Sequence, residues 1–411
     1  MGRQSLRPFL SILLFCFAIS LLPAMAQADD HQPPATSAYV YVGSYLGRYP
    51  NFTDYISGYS VAADGSLQRL SGFPVNGPSG GLVAVRNFVF GFSVGNGNYV
   101  ATYTRSSDGS LQETSAVNED QYARQDYGMS IYALNPDRSG QTLTTVLSCG
   151  SCDSYIIPLT IKANGQLSFD SNLPPSQGAA KWTGEFYFAP DNRYAYTEFW
   201  QEGASAFRRN SDGTLTYVGG TAPAPPPASL FGADVCLPGD MASSVSTRYV
   251  GVAWWSGIYC SDGPAYEFAT YTESPDGSLQ LIPRSVFTPQ VIEYGMAFDP
   301  SGQYLAIAGC TGQYYCTEGS LAALQIFKLQ TNGTLAAVGN VQTVNTTDEF
   351  TGVQWDNAGH LYALGNAVYC SRNLCANDLY IYNFDGYSLT LAPGSPHLLS
   401  NVVGVAVLPA Q

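Results

Sequence analysis

The chain has 411 residues, of which only 12% are charged, whereas glycine (42), proline (25), tyrosine (29) and phenylalanine (20) are abundant. That profile suits many short strands joined by tight turns and excludes a helical bundle. With Lys+Arg 17 against Asp+Glu 31, the net charge of -14 repels polyanions, so neither nucleic acid nor an anionic membrane is an expected partner.

Arg3 and Arg7 precede an apolar run from Phe9 to Leu22, followed by Pro23-Ala24-Met25-Ala26-Gln27-Ala28. A charged start, a short apolar core and small residues at a cleavage point make residues 1–26 a secretory signal peptide, with cleavage after Ala26 or after Ala28. A secreted or periplasmic location follows. The run is shorter than the roughly 18 apolar residues a membrane helix needs, and no later stretch reaches that length, so membrane insertion is not expected. Residues 27–37, with Pro33-Pro34, read as a disordered leader. Residues 38–411 read as one domain, large enough to stand as a monomer.

One short phrase, Asp/Asn-Gly-x-Leu, recurs seven times along this domain, starting at Asp64, Asp108, Asn164, Asp212, Asp276, Asn332 and Asp385, the last copy with one extra residue. Each copy is a tight turn between two strands, because the turn needs a positive φ that glycine adopts freely. Alternating runs such as Ile56-Ser57-Gly58-Tyr59-Ser60-Val61 and Leu324-Gln325-Ile326-Phe327-Lys328-Leu329 precede the turns and read as strands. A second hairpin lies upstream in several units, as in Phe188-Ala189-Pro190-Asp191-Asn192-Arg193-Tyr194 and Phe298-Asp299-Pro300-Ser301-Gly302-Gln303-Tyr304. Four strands per unit, seven units and a period of about fifty residues predict an all-β, seven-bladed β-propeller of four-stranded antiparallel blades. The first unit, from Tyr39, lacks an inner strand, and Val402 to Leu408 is an inner strand with no unit to follow it. Pairing the two closes the ring.

Eight cysteines lie beyond the signal peptide, an even number that suits an oxidising compartment. Cys149-Gly150-Ser151-Cys152 could serve redox or zinc chemistry instead, but no second C-x-x-C and no neighbouring histidine accompany it. Local pairing gives Cys149–Cys152, Cys310–Cys316 and Cys370–Cys375, and leaves Cys236–Cys260 by elimination.

Units of the form P-D/S-G-x-Y-L-x-V followed by an outer D-G-x-L hairpin resemble the seven-bladed lactonase propellers, the 6-phosphogluconolactonase-like family. The likeness covers roughly Tyr39 to Leu408. It implies lactone ring opening, a carboxylic ester hydrolysis. Active members resemble one another in a G-P-R-H start to an inner strand, and this chain departs there, reading Tyr127-Gly128-Met129-Ser130, Thr183-Gly184-Glu185-Phe186, Glu293-Tyr294-Gly295-Met296 and Phe350-Thr351-Gly352-Val353.

Propeller topology puts the D-G-x-L turns and the inner hairpins on one face, and the starts of the inner strands, with all eight cysteines, on the other. Asp126, Glu185, Asp240, Glu293 and Asp348-Glu349, from five units, are expected to gather at the mouth of the central channel, with Arg48, Arg124 and Lys181 on the same face. Gathered acids need compensation. Ca²⁺ held by Asp126, Asp240 and Glu293 would supply it and could polarise a lactone carbonyl; strand capping and pairing with the three cations are the alternative. Glu293 is the candidate catalytic base or metal ligand. Trp182, Trp200, Trp254, Trp255, Tyr314 and Tyr315 fall on this face too, as stacking platforms or as filling between blades. His360 belongs to an inner hairpin on the opposite face, and His397, in the final loop, is the histidine with reach to the mouth. Two functions follow: hydrolysis of a sugar-derived or other lactone at the mouth, or non-catalytic binding of glycan, peptide or an envelope protein through the disulfide-stapled face.

Overall fold

The computed structural model describes residues 35–48, 51–94, 97–120, 130–148, 153–169, 176–181, 185–197, 204–222, 237–244, 246–255, 266–312, 316, 320–344, 349–366 and 376–410. Their strands form seven separate antiparallel sheets, each a blade. The strand Val402–Pro409 is the inner strand of blade 1 and pairs with Thr36–Arg48, Ser44 facing Val402 and Ala38 facing Pro409. The expected closure of the ring by the last strand is therefore present. Inner strands neighbour one another from blade to blade, Val402–Pro409 beside Gly80–Val85 and Ile292–Phe298 beside Glu349–Trp355. Gln354 Nε2 donates to Val405 O at 2.7 Å and links blade 7 to blade 1.

Strand alternation explains the stacking. In Tyr39-Val40-Tyr41-Val42, the tyrosines pack toward blade 2 with Leu82, Val89 and Ala101, while the valines pack toward blade 7 with Tyr362, Leu379 and Ile381. Both faces of such a strand are buried, at roughly 1.5–3 kcal/mol per large apolar side chain. Three blades depart from a plain four-strand count. Short segments Val75–Asn76, Ser176–Lys181 and His397–Ser400 each pair with the third strand of their blade beside the regular outer strand. His397 thus lies on the outer edge of blade 7, opposite Leu379, and not in a loop reaching the mouth; its side chain is half-buried and burial holds its pKa down.

The repeated turns do more than reverse the chain. In each of five copies the Asp or Asn oxygen accepts from the backbone N–H and the hydroxyl of the residue two along, as Asp64 does from Ser66 at 3.0 and 2.7 Å. These bonds hold the Asp carboxyls below their ordinary range. The glycine then settles over the start of the preceding blade's second strand, at its first residue in every blade but blade 1: Gly109 over Tyr39, Gly165 over Phe88, Gly213 over Thr142, Gly277 over Tyr194 and Gly333 over Tyr249, with Gly386 near Tyr304 and Gly65 near His360. Three of those tyrosines donate to a carbonyl of the turn itself, Tyr39 to Ser107, Tyr194 to Pro275 and Tyr249 to Thr331. At Gly109 the φ is +83° and a Cβ would overlap the Tyr39 ring. Gly109→Ala is therefore expected to cost about 2–4 kcal/mol, combining backbone strain with overpacking. Urea melts of the two proteins check this, and an unchanged midpoint would remove the turn from the inter-blade contact.

A buried acid sits in the seam between blades 2 and 3. Glu119, fully buried, follows the outer strand Leu111–Asn118, and both its carboxyl oxygens lie 2.9 Å from Thr145 Oγ1 on blade 3. Burial pushes its pKa up to about 8, against a smaller lowering by the Thr145 hydroxyl. The folded state thus holds an extra proton between the unfolded value of about 4.5 and about 8. That contribution is complete below the lower value and is lost as pH rises through the upper one, with a slope of at most about 1.4 kcal/mol per pH unit. Glu119→Gln is expected to flatten the decline in stability between pH 5 and 8 and to leave the variant the more stable protein at about pH 8. Denaturant midpoints across that range give the answer; parallel curves for both proteins would refute the assignment.

Candidate active site at the channel mouth

One irregularity recurs at the starts of the inner strands, on the face opposite the D-G-x-L turns. In blade 6 Glu293 pairs with Gly309 and Gly295 with Ala308, so Tyr294 is left out of the ladder. In blade 7 the odd residue is Thr351, in blade 3 Tyr132, and in blade 1 Val403. A bulge places the extra residue off the alternation and re-aims its side chain. Tyr132 and Tyr294 are accordingly 63% and 36% exposed on otherwise buried strands.

The bulges of blades 6 and 7 meet. A Cβ on Gly295 would stand 2.9 Å from the Gly352 Cα, so the two inner strands run in backbone contact just past Glu293 and Glu349. Glu293 is 1% and Glu349 9% exposed, and both act electrostatically on the more accessible Tyr294 phenol. Burial raises the Tyr294 pKa most, the Glu349 charge adds to this, a backbone hydrogen bond from Cys316 opposes it, and the Glu293 charge raises it further. The phenol consequently keeps its proton and is a hydrogen-bond donor at ordinary pH. Cys316 is held in place by its disulfide to Cys310, which closes a loop over a sequence separation of 6 and packs on Ile292, the residue before Glu293. The expected Cys310–Cys316 bridge is present, with Cys310 inside the strand Tyr304–Thr311 rather than in the loop after it. The pairs Cys149–Cys152, Cys236–Cys260 and Cys370–Cys375 lie outside the described residues.

The other expected site residues fare unequally. Glu185 is exposed just before the inner strand Tyr187–Phe188 of blade 4 and accepts from the Tyr187 hydroxyl at 3.3 Å. Asp240 belongs to the inner strand Leu237–Ser243 of blade 5, between Pro238 and Met241 where the register shifts, but its side chain lies outside the described set. Lys181 ends the strand Ser176–Lys181 opposite Asp153, at the outer edge of blade 3 and not on its inner strand. Arg48 ends the strand Thr36–Arg48, whose hairpin with Asn51–Ala62 continues four residues beyond the inner strand and carries the 55% exposed Leu46. Asn401 clasps the base of this arm, donating through Nδ2 to Tyr45 O at 3.2 Å. Arg124 and Asp126 lie outside the described residues, as do Trp182, Trp200, Tyr314, Tyr315 and the side chains of Trp254 and Trp255.

Sequence reasoning missed Tyr294 and Tyr132. The available signal was a glycine inside an inner-strand pattern, at Gly295, Gly352 and Gly404, which marks bulges and close backbone approach.

No family model and no curated protein matches the chain. Among solved structures it is similar to a candidate 6-phosphogluconolactonase from Bacteroides uniformis (TM-score 0.61, 16% identity, covering 91% of this chain and 100% of that one). A second candidate 6-phosphogluconolactonase, from Bacteroides fragilis, gives a TM-score of 0.58 at 16% identity over 91% of this chain and 98% of that one. The periplasmic gluconolactonase of Pseudomonas aeruginosa gives 0.56 at 14% identity, over 89% and 99%. These likenesses bear on the fold alone, the seven-bladed propeller that the repeat pattern implies.

Proposed function

We propose that the protein opens lactone rings, sugar-derived or otherwise, at the channel mouth. Glu293 takes a proton from a water molecule as its oxygen forms a bond to the lactone carbonyl carbon. The Tyr294 hydroxyl donates to the carbonyl oxygen as it gains charge, in the manner of an oxyanion donor. The bond to the ring oxygen then breaks, the proton passes to that oxygen, and a hydroxy acid leaves. At 1% exposure Glu293 reaches substrate through water, which is also the nucleophile the reaction requires. The observation that carries this reading is the convergence of two buried carboxyls on one accessible phenol at adjoining inner strands, in the architecture shared with a periplasmic gluconolactonase. The signal-like first residues support secretion to the same kind of compartment.

Ca²⁺ at Asp126, Asp240 and Glu293 belongs to the proposal as an addition: the all-oxygen donor set suits that ion. The described residues contain no group of three acidic, histidine or cysteine side chains that could hold it, and no step above depends on it.

The test is a pH-stat assay of the oxidised protein against sugar and aliphatic lactones, with Ca²⁺ and with a chelator. Acid release above the spontaneous rate is expected. A flat trace from folded protein under every condition overturns hydrolysis of these lactones and directs attention to binding of glycan, peptide or an envelope protein through the stapled face.

A further inference from the structure

The bulges at the starts of the inner strands form a collar. Besides Val403, Tyr132, Tyr294 and Thr351, the pairing skips at Gly81-Leu82 in blade 2 and at Gly239-Asp240 in blade 5. In blades 3, 6 and 7 the odd residue is the third of its strand, so Tyr132, Tyr294 and Thr351 stand at one level around the mouth. Blade 3 is three places from blade 6 in a ring of seven, which sets Tyr132 nearly across the mouth from Tyr294.

Tyr132 is placed differently from the tyrosines that fill the seams. Tyr103, Tyr196 and Tyr271 are fully buried, whereas Tyr132 is 63% exposed on a strand whose next three residues, Ala133, Leu134 and Asn135, are all buried. Ser130, two residues earlier, is exposed as well, so a hydroxyl accompanies the ring.

The strand start that carries this ring is fixed from blade 2. Asn98, 6% exposed, accepts through Oδ1 from the backbone N–H of Ile131 at 3.1 Å, and Asp120 holds Asn98 in turn, accepting from its N–H at 3.0 Å and from Nδ2 at 3.1 Å. Blade 7 repeats the device, Asn377 Oδ1 accepting from the Val402 N–H at 3.0 Å just before the Val403 bulge. A ring held rigidly in water loses little freedom on meeting a ligand. Its apolar face suits the C–H face of a sugar ring, while the hydroxyls of Ser130 and Tyr294 suit the polar rim of that same ring. An aliphatic lactone has no hydroxyl to use them.

We propose that Tyr132 is a substrate platform: it stacks on the C–H face of a hydroxylated lactone ring whose carbonyl is presented to Tyr294, and so selects sugar-derived lactones over aliphatic ones. The carbonyl assignment rests on the proposed hydrolysis, whereas the ring-binding role rests on the placement of Tyr132.

Two experiments test it, one of them independent of turnover. In calorimetric titration of the full protein, gluconolactam, an amide analogue of the sugar lactone, is expected to bind with a Kd on the order of 1 mM, and valerolactam more weakly. Tyr132→Ala should weaken gluconolactam binding at least about fivefold with an unchanged thermal melt, and Tyr132→Phe, which keeps the ring, should restore it to within about twofold of the parent. In the pH-stat assay, the ratio of kcat/KM for gluconolactone over valerolactone should fall at least about fivefold in Tyr132→Ala, mainly through KM for gluconolactone. No gluconolactam binding up to about 20 mM, or equal binding by the parent and Tyr132→Ala, overturns the platform. Valerolactam bound as tightly as gluconolactam, or an unchanged kcat/KM ratio, overturns the choice of a hydroxylated ring. If no lactone is hydrolysed and lactam binding still depends on Tyr132, the hydrolysis falls and the platform stands.

Discussion

Glu293→Gln is expected to lower kcat for lactone hydrolysis by roughly 10²–10⁴-fold, the range that loss of a general base produces. Glutamine keeps the size and the hydrogen-bonding reach of the buried side chain and removes only its capacity to accept a proton from water. The fold should survive, which circular dichroism and a thermal melt would verify. Two companion variants sharpen the reading. Tyr294→Phe should lose roughly 10²–10³-fold in kcat with little change in KM, because an oxyanion donor acts in the transition state. Glu349→Gln should lose less, since Glu349 enters as a charge beside the phenol. If the Glu293 variant turned over within twofold of the parent while Glu349→Gln was dead, the base would be Glu349 and the assignment made above would be wrong.

The second large effect is expected on the far side of the ring, at the seam between blades 7 and 1. His360 Nδ1 lies 2.6 Å from Asp356 Oδ2, which also accepts from the Tyr362 hydroxyl at 2.9 Å. Asp356 Oδ1 accepts from the backbone N–H groups of Ala358 and His360, and His360 Nε2 lies 3.3 Å from Ala63 O on blade 1. Asp356 and His360 are 4% and 2% exposed. Burial works against the charged imidazole, but the hydrogen bond and the charge of Asp356 outweigh it and raise the His360 pKa. Burial likewise works against the Asp356 carboxylate, and its bonds from His360 outweigh that and lower its pKa. Asp356→Asn strands the imidazolium without its counter-charge and is expected to cost about 3–5 kcal/mol.

The signs fix the pH window. The histidine contribution is complete below its unfolded value near 6.5 and is lost as pH rises through the raised folded value. The aspartate contribution is complete above about 3.8 and is lost as pH falls through the lowered one. The seam should be strongest between those limits, and the parent's advantage over Asp356→Asn should shrink toward both. Urea midpoints measured from pH 4 to 9 would show this; equal stability of the two proteins at pH 6 would sink the clamp.

The architecture was legible because its signals are local. A tight turn leaves its mark in two residues, Asp-Gly or Asn-Gly, and seven marks at near-regular spacing leave few alternatives to a propeller. Even ring closure could be read, since the first unit lacks an inner strand and Val402 to Leu408 carries the pattern of one. The site was legible only in part. Glu293 and Glu349 could be placed at strand starts, but the bulge that exposes Tyr294 exists only in the pairing of two strands. Its one trace, Gly295 after the tyrosine, resembles an ordinary strand glycine. Glu119 was invisible for a related reason. It stands in Asn118-Glu119-Asp120, a tract that reads as solvated polar chain, and its burial is decided by Thr145 on another blade. His397 was misplaced because Gly394-Ser395-Pro396 reads as a loop that continues, whereas the chain resumes pairing at His397.

The contact of each turn glycine with the blade before it bears on where this chain can be cut. Six of the seven contacts join neighbouring units, and the seventh joins Gly65 to His360 across nearly the whole sequence. No contact of this kind lies within one blade, so a blade excised alone would lose both the residue its turn covers and the turn that covers it. The ring is indifferent, however, to where the chain begins. Ala38 and Pro409 face each other in the ladder, and Ala410 N donates to Ser37 O at 3.0 Å, so a linker of a few residues could join the two ends. New termini opened in a loop on the mouth face would leave all seven turn contacts intact, which makes the molecule a natural candidate for circular permutation.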